Sequence, residues 1–84
     1  MNRTQEILAH QKHEQEWNAW RDAMQSLPQD IRANIRGIVS KDLSRHIPEG
    51  SGISSSDINH HSFSLWKRSG QHLVGFFATV VELS

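Results

Sequence analysis

The sequence predicts a small α+β domain of order α-α-β-β, in which two antiparallel N-terminal helices pack on a C-terminal antiparallel β-hairpin. Three patterns carry that expectation. Apolar residues recur at Trp17, Trp20, Met24 and Leu27, with spacings of three, four and three, which is one face of a helix. Ile31, Ile35, Ile38, Val39 and Leu43 form a second such face. From Ser62 the pattern changes to a period of two, with Ser69-Gly70 between two apolar runs, a hairpin signal.

The first helix is expected to run up to Pro28. Its segment is rich in Gln, Glu and Ala, all compatible with helix. Ile7 and Leu8 fall off its apolar stripe. Pro28 disfavours helical geometry at Leu27. The next helix is expected to start at Ser26-Leu27-Pro28-Gln29, with Ser26 as cap, Gln29 completing a capping box and the proline in the first turn. Asp42 and His46 would share this helix's apolar face, so loosening is expected after Ser40. "IPEGSGISSSD" (residues 47–57) then reads as a loop by its turn chemistry.

A two-residue turn at Ser69-Gly70 would pair Arg68 with Gln71, Trp66 with Leu73, Leu65 with Val74 and Phe63 with Phe76. One face of the ribbon then holds Phe63, Leu65, Val74, Phe76, Ala78 and Val80. The other holds Trp66, Leu73, Phe77, Val81 and Leu83. Two helices cover only one side of a hairpin, and a lone two-stranded ribbon is marginal in water. Its two edges also invite pairing with another chain. A homodimer that extends the sheet, or docking on a larger protein, is therefore expected. The partner-binding residues would be Trp66, Arg68, Leu73, Phe77, Val81 and Leu83, since Trp and Arg are the types most enriched at interface hot spots.

Size and charge narrow the function classes. The chain has 84 residues, which reads as one domain over residues 1–84. So short a chain buries only about 60–65% of its unfolded surface. It contains no cysteine, which excludes disulfides and thiolate metal sites and fits a reducing compartment. Nine basic residues balance nine acidic ones, which argues against strong attraction to nucleic acid or anionic lipid. The longest apolar run, Leu73 to Val81, is too short to span a bilayer, and no signal-peptide pattern opens the chain. A cytoplasmic accessory protein, of bacterial or phage type, is the expectation.

The histidines, carboxylates and basic residues each have a functional reading and a plainer one. His10 and His13 lie three apart on a helix, near Glu6 and Glu14, but zinc needs three or four converging ligands. His60 and His61 would point to opposite faces of a strand, so no metal or other cofactor is expected. Asp57, His60, His61 and Ser62 offer acid, base and nucleophile types. No nucleophile elbow or phosphate-binding glycine loop accompanies them, so neither catalysis nor a small-molecule substrate is expected. The alternative to an interaction module is a winged-helix-like nucleic-acid regulator using Arg32 and Arg36 of the second helix with Lys67 and Arg68 at the hairpin tip. Against it, Lys41 and Arg45 lie on the other flank of the helix, and a nucleic-acid footprint should be one clustered basic face. Trp17 and Trp20 are expected in the core.

Overall fold

The computed structural model describes residues 3–84. The domain expected over residues 1–84 includes residues 1 and 2, which lie outside the described ones. Four helices follow in order: α1 Arg3–Gln25, α2 Gln29–Ser44, α3 Ser55–Arg68 and α4 Leu73–Leu83. No strand occurs among the described residues. The α+β expectation is therefore wrong, along with its hairpin and the sheet that self-association was to extend. The domain is all-α.

The physical reason lies at two sites. The first is Ser69-Gly70, which ends a helix instead of turning a hairpin. Ser69 is the C-cap of α3. Gly70 follows at φ +98°, the left-handed conformation that glycine adopts without steric cost. The Gln71 N–H donates to the Trp66 carbonyl at 3.0 Å and the Gly70 N–H to the Lys67 carbonyl at 3.4 Å. Those two bonds define a Schellman motif. Gln71 is also at positive φ, +60°. His72 returns to extended geometry and caps α4, its Nδ1 accepting from the Gly75 N–H at 2.9 Å.

The second site is the serine-rich loop. Ser54 Oγ accepts from the Asp57 N–H, and the Asp57 carboxylate accepts from the Ser54 N–H. This reciprocal pair starts α3 as a capping box. Hydrogen bonding to the carboxylate from Ser54, first its backbone N–H and then its hydroxyl, holds the Asp57 carboxyl below the usual carboxylate range. Because the folded-state pKa is depressed, the charged box favours folding above the unfolded value. That contribution disappears as pH falls through the folded value. Ser54→Ala is expected to lower stability by about 1 kcal/mol, the usual loss for an N-cap, with a smaller difference from wild type in acid. Urea unfolding at neutral pH and near pH 3 checks both statements.

Two smaller expectations at α2 also change. Ser26 does not cap the helix. Its hydroxyl donates backwards to the Ala23 carbonyl at 2.6 Å, and the N-cap position is Pro28, with no side-chain hydrogen bond. Nor does α2 loosen after Ser40, since it continues to Ser44 with Asp42 buried. The burial is tolerated because His61 of α3 reaches Asp42 Oδ2 at 2.7 Å. A buried carboxylate with a charge-assisted donor avoids most of the cost of losing water.

The third helix is the centre of the molecule, in contact with the other three. Phe63 faces α1, with its ring against His13, Trp17 and Trp20. Trp66 faces α4 and meets Phe76 edge to face at 5.9 Å. Trp20 Nε1–H donates to the buried Ser62 hydroxyl at 3.3 Å. Ile35, Val39, Leu65 and Val80 complete the buried set. The stripe Trp17, Trp20, Met24, Leu27 lies in or against this core, as its spacing predicts. Residues 3–15 of α1 are exposed throughout, so the helix extends well past the core it serves.

Candidate interaction face

The fourth helix is apolar around most of its circumference. At about 100° per residue, Phe76, Val80, Leu73 and Leu83 share an arc that faces the core. Phe76 and Val80 are buried there, and Leu73, Phe77 and Leu83 pack partly against them. Val74, Ala78 and Val81 fall within about 60° of one another on the opposite side. Val74 is 79% exposed and Val81 69%, and Ala78 between them is exposed as well. Glu82 is the single charged residue of the helix. A surface helix ordinarily carries charge on its outer face, and one that is apolar all round is ordinarily covered.

The residues expected at an interface are distributed differently from the hairpin picture. Val81 is on the outer face. Phe77 is half-buried on its flank, while Leu73 and Leu83 lean on the core. Trp66 is 4% exposed and belongs to the core, where its indole N–H finds no acceptor. Arg68 is exposed at the last turn of α3. A two-residue period places Val74 and Ala78 on the inner face. A helical period would have joined them to Val81 as positions i, i+4 and i+7.

The basic residues of the nucleic-acid alternative fall on two helices, Arg32 and Arg36 on α2 and Lys67 and Arg68 at the end of α3. Arg32 and Arg36 lie one turn apart on α2 and border a cleft between α1, α2 and α3. Lys67 sits over the Phe63 ring at 4.6 Å. There is no wing among the described residues, because there is no hairpin.

Of the acid, base and nucleophile types, Asp57, His60 and His61 border one shallow cleft beside Ser64, and Ser62 lies outside it in the core. Asp57 is engaged in the α3 capping box. His60 stacks obliquely on Trp17 at 5.2 Å. Ser62 is buried and accepts from Trp20. His61 instead joins Asp42, with His46 further off at 3.8 Å. His13 turns toward the edge of the Phe63 ring. Among the described residues no three His, Asp or Glu side chains converge on a point that a metal could occupy. No helix among them is long and apolar enough to cross a membrane.

Comparison with known proteins finds no matching family model, no matching curated protein and no matching solved structure.

Proposed function

We propose that this protein is a non-enzymatic, cytoplasmic interaction module that pairs with a second copy of itself through the outer face of α4. The observation that carries the reading is the exposed stripe Val74, Ala78 and Val81 on a helix with almost no charge. A two-fold axis through Ala78 would place Val74 of one protomer against Val81 of the other. Alanine at the crossing lets the two backbones approach closely, and half-buried Phe77 would complete the seam on one side. The chain's net charge of zero removes the general repulsion that keeps like molecules apart. The face spans only about three turns, which places the contact in the small, reversible class of interfaces. The absence of cysteine agrees with a reducing compartment.

Sedimentation over a wide concentration range tests this reading. The wild type is expected to move from monomer toward dimer as concentration rises. Val81→Glu and Val74→Glu should each stay monomeric with unchanged helical circular dichroism, because a charge in the centre of an apolar seam is desolvated without a partner. A wild type that stays monomeric at millimolar concentration, or a Val81→Glu variant that dimerises as well as wild type, overturns it.

A further inference from the structure

A second region of the molecule, rich in arginine, is independent of α4. A cleft of about 500 Å³ opens between the C-terminal half of α1, the first turns of α2 and the start of α3, within the size range of small-molecule sites. Trp17, Trp20 and Met24 supply apolar walls, while Arg21, Arg32 and Arg36 bring three positive charges. No aspartate or glutamate lines it. A neutral protein has thus brought three arginines to one aromatic-walled cleft, two of them without a carboxylate partner among the described residues.

The arginines are placed for an anion. Arg36 is fixed by two neutral acceptors on α3, Asn59 Oδ1 and Ser55 Oγ, which orient the guanidinium without cancelling its charge. Arg32 follows the same face one turn earlier and borders the cleft half-buried. Neither makes an ion pair with a carboxylate among the described residues. Arg21, across the cleft on α1, has only Asp22 at 3.7 Å, with both side chains exposed, a pairing that holds little energy. Guanidinium forks match phosphate oxygens bidentately. Three cations suit a phosphate dianion better than a singly charged carboxylate. Indole walls favour a flat ring as the body of the ligand, since aromatic stacking is tolerant of ring identity.

We propose that this cleft binds a small aromatic phosphate monoester, with the phosphate held by Arg32 and Arg36 and the ring against half-buried Trp17 and Met24, above the buried Trp20. The test uses 1-naphthyl phosphate as probe, followed by the shifts of the Trp20 indole and arginine Nε–H resonances in the full-length protein. Saturable shifts at Trp20 and Arg32 are expected. Inorganic phosphate and 1-naphthol should each bind about tenfold more weakly or worse, because each offers half of the recognition. Arg32→Gln should weaken the probe by about tenfold or more, the effect of one charge-assisted hydrogen bond. Arg45→Gln, outside the cleft, should leave binding unchanged. 1-Naphthoate in place of the probe tests whether a phosphate is required.

If Arg36→Gln loosens α3 by releasing Asn59 and Ser55, Arg32→Gln decides the matter alone, since it breaks no hydrogen bond to the protein. The proposal fails if the probe produces no saturable shift at millimolar concentration. It also fails if Arg32→Gln and Arg45→Gln have equal effects, or if inorganic phosphate or 1-naphthoate binds as tightly as the probe.

Discussion

Phe76→Ala is expected to remove about 3–5 kcal/mol of stability, the usual loss when a buried phenylalanine is truncated to alanine. Phe76 is fully buried. Its ring meets Trp66 edge to face and holds α4 to the central helix. Alanine there forfeits the transfer energy of the ring. It also leaves a void that the surrounding helices fill only in part. A domain of this length holds about 4–13 kcal/mol in total, so one such change can consume most of the margin. Val74→Ala on the same helix, measured at concentrations where the chain is monomeric, should cost no more than about 0.5 kcal/mol because that side chain faces water. Urea titration followed at 222 nm compares the two. A Phe76→Ala variant that unfolds within 1 kcal/mol of wild type would mean that α4 is not anchored where the packing places it.

How much of this arrangement could be read beforehand depends on the element. In α1 and α2 the apolar residues are sparse enough for their spacing to reveal the period, and Trp20, Ile35 and Val39 are buried as that spacing implies. In α4 nearly every residue is apolar, so periodicity carries no information, and the β-branched and aromatic composition points toward a strand. Composition of that kind is a weak preference that tertiary burial overrides. The start of α3 was legible: Ser54 and Asp57 stand three apart, the capping-box pattern. Its neighbouring serines and glycines disguised it as loop. Phe63 and Leu65 alternate with serines, yet Ile58, Ser62, Leu65 and Trp66 also satisfy a helical period, and those residues are buried or half-buried.

The candidate sites were less visible than the helices, for a geometric reason. Asp42 meets His61 across nineteen residues of chain, and Arg21 joins Arg32 and Arg36 only because α1 and α2 both lean on α3. The angle at which helices cross is set by how their side chains interlock. It is absent from any one helix's pattern. Taken on α2 alone, Arg32 and Arg36 looked like one flank of a divided basic surface. With Arg21 opposite and no acid between, they become the edge of a cavity.

Gly75→Ala is expected to destabilise the protein by about 1–3 kcal/mol, the range for forcing extra volume into a close-packed site. Helix propensity alone gives the opposite sign, since alanine is better than glycine in a helix by about 0.8–1.0 kcal/mol. The difference is the position of the missing methyl. A Cβ at Gly75 would lie 2.3 Å from the Ser69 carbonyl oxygen and 2.7 Å from the His72 ring. The carbonyl is backbone inside the turn that joins α3 to α4, where Gly70 and Gln71 already sit at positive φ. It has little freedom to retreat. The His72 ring could swing away, but its Nδ1 accepts the Gly75 N–H, so α4 would lose its cap. Gly37 supplies the matched comparison. It is exposed in α2, and a Cβ there would have nothing within 4 Å. Gly37→Ala is therefore expected to stabilise by about 0.5–1 kcal/mol, through the unfolded chain's lost freedom and the gain in helix propensity. The same substitution should move the urea midpoint in opposite directions at the two sites. If both variants gain stability, the α3–α4 turn is looser than its hydrogen bonds imply, and the close approach at Gly75 does not constrain the fold.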